Sequence, residues 1–330
     1  MGESYYLFSS GELKRKDNVL RMTTKEGKFK DIKINVTRDI YIFGEVELNT
    51  STLNYSGQLA IPMHFFNYYG FYTGSFYPKE TNVSGKLLVN QVVAYSDSEK
   101  SLEIAKSFIE AASYNILRNV RYYGNRGKKL DGTIDDIKFL RNNIFRCEDI
   151  KELMGVEGSI RKSYYDCWGE IINQEIDFSK RVKRPPDNMV NTLISFVNSL
   201  IYTTCLSEIY VTQLNPTISY LHSPGERRFS LSLDIAEIFK PLIGDRIIFS
   251  VLNKKIITEK DFSRDSNYYH LKEAGRRKIL EEYDETLKRT IKHKELGRSV
   301  SYRQLIRLEC YKIVKHLLND KKYEGFKMWW

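Results

Sequence analysis

The sequence predicts an α+β protein in which a small domain of β-strands is followed by a larger domain of α-helices. Up to about Tyr77, short apolar runs rich in Ile, Val, Tyr and Phe are broken by turn residues, as in all-β domains. From Ser101 onward, apolar residues recur at three- and four-residue steps, as in amphipathic helices. With 330 residues, the chain is long enough for two domains that each bury a core.

The β-domain is predicted over residues 1–80. Its strands include the runs YYLF, IYIFGEVEL and QLAIPMHFF, and the segment DIKINVTRDIYIF alternates in part between apolar and polar residues. Alternation of this kind is typical of strands with one buried face. No cluster of acidic and basic groups that would suggest chemistry occurs in this part of the sequence. A polar, turn-rich linker is predicted over residues 81–86.

The helical domain is predicted over residues 87–330. In the segment 101–123 the apolar positions are 102, 105, 108/109, 112, 116/117 and 120, and a second amphipathic helix covers 149–168. The most apolar long segment, 191–211, contains Asn198 and Glu208, which would be costly against lipid. We therefore expect a buried helix there and no membrane span.

The net charge of +10 favours a polyanionic partner, because a positive field attracts phosphates at long range. The alternative is a solvated basic surface without a specific partner. The four cysteines show no CxxC spacing, so neither a zinc knuckle nor a disulfide framework is indicated. They are typical of reduced core residues. Together with a start that lacks the pattern of a signal peptide, they predict a cytoplasmic protein.

The stretch Ile218–Pro241 contains the strongest candidate site. It carries His222, a turn with two basic residues (Arg227 and Arg228), and a helical run with Asp234 and Glu237. The two acids are three residues apart and therefore share a helix face. An imidazole, a basic turn and two carboxylates this close together indicate a divalent-metal site that handles phosphates. The alternative for His222 is a hydrogen-bonded core histidine.

Glu157 is a further candidate because it lies at the edge of the apolar face of the 149–168 helix. A carboxylate there is costly unless it is paired or coordinated. The simplest explanation is an ion pair with Arg161, four residues later. Gly155 and Gly158 flank Glu157, and each costs roughly 1 kcal/mol in a helix relative to Ala. Two such glycines favour the close approach of a ligand or another backbone, so both explanations remain open.

A basic segment precedes the apolar 191–211 helix. It holds Lys180, Arg181, Lys183 and Arg184 before a double proline, and polar residues follow at helical steps (Asn188, Asn191, Ser195 and Asn198). This polar stripe is either a solvated face or the wall of a polar site with a basic loop at its mouth.

The candidate donors are oxygen and nitrogen atoms without thiolates. Glu157, His222 and Glu237, with Asp234 beside them, suit Mn²⁺ or Mg²⁺ better than a structural zinc ion. Such an ion can polarise a phosphodiester, activate a hydroxyl nucleophile and stabilise the leaving oxygen.

Motifs along nearly the whole chain resemble the CRISPR-associated adaptation integrases, the Cas-one family. They are ELMGVEG–SIRKSYY, RPPDNMVNTLISF and NPTISYLHSPGERRFSLSLDIAEIFKP, in that order, after the N-terminal pieces SSGELKRKDN, DIYIFGEVEL and IPMHFFNYYGFYTGSFYP. The resemblance implies an N-terminal β-sandwich, an all-α catalytic domain, and a homodimer formed largely through the β-domains. It implies a metal-dependent DNA endonuclease and integrase that inserts captured DNA into a CRISPR array as new spacers. It also implies a small ferredoxin-like adaptation protein as partner.

Carried over position by position, the resemblance makes Glu157, His222 and Glu237 the metal ligands. It makes Asp234 a fourth catalytic residue, as a supporting acid near the site. Where some branches of the family have Asp, this chain has the longer Glu237. The candidate DNA contacts are Arg161, Tyr165, Arg184, Arg227, Arg228, Lys240 and Arg246.

Two other functions remain compatible with the sequence. A metal-independent architectural protein that binds DNA would need only the basic charge and the aromatic content. A metal-dependent nuclease for branched DNA in repair would use the same donor set without preferring a repeat sequence. Sensitivity to EDTA separates the first from an integrase, and a repeat-containing acceptor separates the second.

Overall fold

The computed structural model describes residues 2–178, 180–183, 185–225, 229–265 and 268–330. The chain divides into two compact units, Met1–Thr81 and Asn82–Trp330. The first is built mainly of strands and the second mainly of helices, so the predicted α+β class is confirmed.

Two sheets make up the first unit. One has the order β1-β5-β7-β8, with β1, β5 and β7 parallel and β8 antiparallel, and the other has the order β4-β3-β2-β6. The elements are β1 (Glu3–Leu7), β2 (Gly11–Lys16), β3 (Val19–Thr24), β4 (Phe29–Lys33), β5 (Thr37–Ile42), β6 (Val46–Leu48), α1 (Thr50–Gln58), β7 (Met63–Phe66) and β8 (Tyr72–Phe76).

The two sheets share one hydrophobic core, as in a sandwich. Leu13 and Leu20 of one sheet and Ile40 and Met63 of the other belong to the same buried cluster. Tyr55 of α1 joins this cluster. Helix α1 is not predicted from the sequence, because its segment TSTLNYSGQ is short and has a weak apolar pattern. The Asn49 side chain caps α1 by accepting a hydrogen bond from the backbone N–H of Thr52.

The second unit is built around long helices. Its elements are α2 (Gly85–Ser96), α3 (Ser98–Gly124), α4 (Asp131–Arg141), α5 (Ile150–Asp166), α6 (Trp168–Ile171), α7 (Met189–Tyr210), α8 (Ser230–Phe239), α9 (Asp245–Asn253), β9 (Phe262–Asp265), β10 (Tyr268–Leu271), α10 (Glu273–Lys288), β11 (Thr290–Lys292), β12 (Ser299–Ser301) and α11 (Tyr302–Leu317).

The core of this unit is α8, which packs against both α3 and α7. A π-helical segment, Lys240–Gly244, joins α8 to α9. Segments of this kind are rare and often occur at functional sites. At Gly244 a Cβ atom would lie 2.8 Å from Ile201 Cδ1, so glycine allows the segment to pack closely against α7.

Two details differ from the sequence prediction. Gly85 and Lys86, predicted as linker, are the first two residues of α2. The second unit is not purely helical, since β9 pairs with β10 and β11 with β12 in two antiparallel hairpins. The tail after α11 is ordered against its own unit: Asn115 donates to the Phe326 carbonyl at 3.0 Å, and Tyr323 and Met328 are buried.

The helix α7 is long and apolar enough to cross a membrane by length and composition, but 78% of its most apolar window is buried inside the unit. Its Glu208 is fully buried and accepts hydrogen bonds from Arg303 Nε at 2.6 Å and Arg307 Nε at 2.9 Å. These contacts with α11 show how a carboxylate is accommodated in an apolar helix, as a core ion pair.

We predict that Glu208→Ala lowers the stability of the helical unit by about 3–5 kcal/mol, because it leaves the buried Arg303 charge without its carboxylate. The measurement is the urea midpoint followed by helical circular dichroism. The matched control is Glu273→Ala, which removes an exposed ion pair with Arg277 and should cost no more than about 0.5 kcal/mol. Equal midpoints for the two variants would contradict the prediction.

Candidate metal centre

The site is built on a loop that folds around one carboxylate. Asp234 of α8 is fully buried and accepts the backbone N–H groups of Tyr220, Leu221 and His222 at 2.7, 3.0 and 3.0 Å. Three such bonds satisfy a buried charge that would otherwise be costly. They also fix the loop before the turn at Pro224 against α8. Asp234 therefore holds the backbone of the site in place.

The same carboxylate orients His222. Its Oδ1 atom lies 2.8 Å from His222 Nδ1. A carboxylate accepts only when the proton is on Nδ1, so Nε2 is the atom left to bind a ligand. Burial lowers the pKa of His222, but its hydrogen bond to Asp234 and the charge of that carboxylate raise it above the ordinary value overall. His222 Nε2 lies 4.0 Å from Glu237 Oε1.

Glu157 and Glu237 are joined by a guanidinium group. Arg161 donates from Nε to Glu157 Oε1 at 2.9 Å and from Nη2 to Glu237 Oε2 at 2.5 Å. Lys240 donates to the other oxygen of Glu237. Burial by itself raises the pKa of Glu237, but the Lys240 and Arg161 charges outweigh burial and hold the pKa well below its usual range. Glu237 is therefore ionised.

Glu157, His222 and Glu237 offer the oxygen and nitrogen donor atoms that a divalent cation binds. In the part of the chain that the structure describes, no three His, Cys, Asp or Glu side chains already form a metal-binding group. Instead, the positive charge of Arg161 lies between Glu157 and Glu237. His222 Nε2 and Glu237 Oε1 are 4.0 Å apart, whereas adjacent donors of an octahedral ion with bonds of about 2.1 Å lie about 3 Å apart, so the two side chains would move closer together around an ion. The guanidinium of Arg161 supplies a positive charge that compensates the negative charges of Glu157 and Glu237.

The other candidate contacts are divided between different places. Lys240 belongs to the centre, and Tyr165 packs its ring against Trp168 and Phe178 while it interacts electrostatically with Arg161. Arg161 is only 11% exposed and is used by two carboxylates, so it does not present an open surface for phosphate. Arg246 points into another cleft, where Nη1 lies 3.2 Å from Met328 Sδ. Arg184, Arg227 and Arg228 lie outside the described residues.

The basic segment before α7 docks onto the predicted polar stripe. Arg181 donates from Nη1 to Asn191 Oδ1 at 3.0 Å and from Nη2 to Ser195 Oγ at 2.8 Å. Asn191 is fully buried, which favours the wall of a site over a solvated face. Burial and the charges of Lys240 and Arg181 lower the pKa of Lys183, while Glu237 and Glu157 raise it. Lys183 thus belongs to the charge cluster, although the sequence analysis placed it only in a basic run.

Asp245 is a further residue of the centre that the sequence does not reveal. This first residue of α9 is 1% exposed, and its Oδ2 atom has no hydrogen-bond partner among the described residues. Burial raises the pKa of Asp245 to about 7, against the lowering effect of Arg161 and Tyr164. Nothing in its local sequence signals this, because the raised pKa comes from burial in the folded unit.

We predict that Asp245→Asn removes a pH dependence of stability. With the pKa of Asp245 raised from 3.8 to about 7, the folded protein holds a proton that the unfolded chain has lost. Wild-type stability therefore falls as pH rises through this window. The stability of the variant relative to wild type should rise by about 2–4 kcal/mol between pH 4 and 8.

The measurement is urea unfolding in EDTA across that pH range. The control is Asp166→Asn, at an exposed position of α5 that pairs only with Lys162 at 2.8 Å among the described residues. A pH-independent difference between Asp245→Asn and wild type would show that Asp245 is ionised throughout.

Both the sequence and the fold of this chain match known proteins. The family described as "CRISPR associated protein Cas1" matches residues 5–285. A relative from Fusobacterium nucleatum, named "CRISPR-associated endonuclease Cas1", is 57% identical over 330 residues, covering 100% of this chain and 98% of its own.

Solved structures share the fold. The structure of a CAS1 protein from Thermotoga maritima superposes with a TM-score of 0.88 at 39% identity, covering 99% of this chain and 100% of its own. A casposase bound to integration product superposes with a TM-score of 0.89 at 23% identity, covering 98% of this chain and 92% of its own. The two-unit architecture and the match along the sequence agree, and the chain belongs to the Cas1 family of CRISPR-associated proteins.

Proposed function

We propose that this chain is a divalent-metal-dependent DNA endonuclease and integrase that inserts captured DNA fragments into a CRISPR array as new spacers. The observation that carries the proposal is the centre itself. His222 is oriented by Asp234 through Nδ1, and its Nε2 faces the ionised Glu237. The relative that shares 57% of its residues is named an endonuclease, which supports the same chemistry.

The reaction is a transesterification. The 3′-hydroxyl oxygen of the captured DNA forms a bond to a phosphorus atom at the repeat boundary of the acceptor strand. The bond from that phosphorus to the 3′-oxygen of the acceptor strand breaks. The hydroxyl proton passes to solvent, and the leaving oxygen takes up a proton. One phosphodiester replaces another, so the joining step needs no external energy source.

Glu157, His222 and Glu237 would hold the ion. When bound, it polarises the scissile phosphate and stabilises charge on the attacking and leaving oxygens. We propose Mn²⁺ or Mg²⁺, because two carboxylates suit hard cations and one imidazole remains compatible with Mn²⁺.

The chain's own residues prepare the site. Asp234 keeps the proton on His222 Nδ1 and leaves Nε2 directed at Glu237. Lys240 and Arg161 keep Glu237 ionised. Lys183, attracted by Glu237 and Glu157, adds positive charge at the same place, where it can attract a phosphate. Asp234 and His222 are already positioned before DNA arrives, which reduces the reorganisation needed during reaction.

We further propose the assembly that the family resemblance implies. Two copies would form a homodimer through their strand units, and a small ferredoxin-like CRISPR adaptation protein would be the partner. The site of action would be the cytoplasm, where the array is located.

We predict that alanine at Glu157, His222 or Glu237 lowers the rate of joining by at least about 100-fold, because each variant removes a donor for the ion. The measurement is the joining of labelled DNA to a repeat-containing acceptor with Mn²⁺. DNA binding should remain close to wild type. The control is Asp166→Ala, on the exposed face of the helix that carries Glu157. Joining by His222→Ala at the wild-type rate would show that the assignment is wrong.

We predict that EDTA abolishes joining but not DNA binding, and that Mn²⁺ or Mg²⁺ restores joining. Binding rests on positive charge and should weaken with salt, whereas joining needs the ion. Gel-shift and joining assays on the same samples measure both. Joining that persists in EDTA would favour the metal-independent architectural protein. Cleavage of branched DNA without preference for a repeat would favour the repair nuclease.

A further inference from the structure

A second basic region of the helical unit lies apart from the candidate metal centre. It is a cleft of about 540 Å³ between the C-terminal end of α3, the exposed face of α9, and α10. A smaller hollow of about 140 Å³ shares Asn119, Tyr122 and Arg246 with it and extends it towards Trp330. We name the two together the basic cleft. Its charged wall consists of Arg118, Arg121, Arg126, Lys128, Arg246, Lys254, Glu282 and Arg289.

Most charges of the basic cleft are not paired, although Arg118 donates to the Trp330 carbonyl oxygen at 2.8 Å. Its one acidic residue among those described, Glu282, is 2.9 Å from Arg289. Five basic side chains have no carboxylate within ion-pair distance in the described part of the chain. They are Arg121, Arg126, Lys128, Arg246 and Lys254. Like charges gathered in a concave wall repel one another and focus a positive field, which favours an anionic ligand.

An aromatic side chain is available beside these charges. Tyr122 is 46% exposed, and the Arg126 guanidinium lies over its ring at 4.4 Å. Sites for single-stranded nucleic acid combine a basic groove with aromatic rings on which bases stack. The volume of the cleft lies in the range of about 300–1,000 Å³ that is typical of small-ligand sites, so it is large enough to hold a nucleotide of a single strand.

The basic cleft shares no lining residue with the metal centre. Glu157, His222 and Glu237 do not line it. Arg246 lies nine residues after Glu237, beyond the π-helical segment, on the side of α9 that faces α3. Binding in the cleft therefore does not depend on the ion.

We propose that the basic cleft binds the phosphodiester backbone of a single-stranded DNA segment, with a base stacked on Tyr122. The choice of DNA rests on the proposed function, and the phosphate chemistry rests on the cleft alone. A strand held there is a different part of the substrate from the phosphate at the metal centre.

The test compares two charge-matched variants. Arg126→Ala/Lys254→Ala removes two exposed side chains of the cleft, and Lys260→Ala/Lys315→Ala removes two exposed lysines elsewhere in the unit. Binding of a short labelled single-stranded DNA is measured in EDTA at several salt concentrations. We expect the cleft variant to bind about tenfold more weakly, with a salt slope reduced by about 1.4, since each phosphate contact contributes about 0.7 for single strands. Tyr122→Ala should weaken binding about fivefold or more without changing the slope.

Three results would overturn the proposal. The first is equal affinity of the cleft variant and the charge-matched control. The second is an equal loss of affinity for a duplex of the same sequence. The third is competition by inorganic phosphate or a mononucleotide at the concentration at which the oligonucleotide binds, which would identify a small-anion site. An RNA strand that binds more tightly than DNA would overturn the choice of DNA.

The experiment separates this proposal from the proposed function. His222→Ala, which should lose joining, should keep wild-type affinity for the single strand in EDTA. If joining fails in every sample while the cleft variant still loses affinity, the cleft stands and the integrase proposal falls. If joining occurs but the cleft variant binds normally, the integrase proposal stands and the cleft proposal falls.

Discussion

The buried carboxylate of Asp234 is the interaction on which the rest of the candidate centre depends. It accepts three consecutive backbone N–H groups and the Nδ1 proton of His222. Hydrogen bonds to a charged group are worth about 1.5–3 kcal/mol each, so the loop is held to α8 by a strong local network. His222 has one orientation because its backbone and its ring are bound to the same carboxylate. Asp234, which the sequence suggests as a supporting acid, therefore positions the candidate ligand His222.

Around this anchor, the centre is a balance of buried charges. Glu157 and Glu237 are held by Arg161, and Glu237 also by Lys240. Burying such groups contributes little net stability, since the desolvation of each ion offsets the attraction between them. Their value lies in function, because charges held in a low-dielectric site act on a substrate without rearranging. The π-helical segment contributes directly, since it begins at Lys240 and directs the chain away from α8.

The long helix α3 explains how an irregular backbone is tolerated in the core. Two of its buried amides donate to carbonyls near the end of α8. Asn119 reaches the Pro241 carbonyl at 2.7 Å, and Asn115 reaches that of Ile238 and also that of Phe326 in the C-terminal tail. Buried carbonyls need such partners where helical bonding is interrupted. The same helix thus supports the centre at its middle and forms one wall of the basic cleft at its C-terminal end.

The sequence by itself indicated the strand-then-helix architecture and the amphipathic helices, and it singled out Glu157, His222, Asp234 and Glu237 as candidate site residues. These features follow from local periodicity and from motifs that can be recognised in the sequence. It did not determine that Arg161 lies between two carboxylates, that Asp245 is buried beside them, or that Arg246 faces a different cleft. Those facts depend on how α5, α8 and α9 pack. A side chain's burial and partners are set by residues far away in the chain, and only the tertiary structure brings them together.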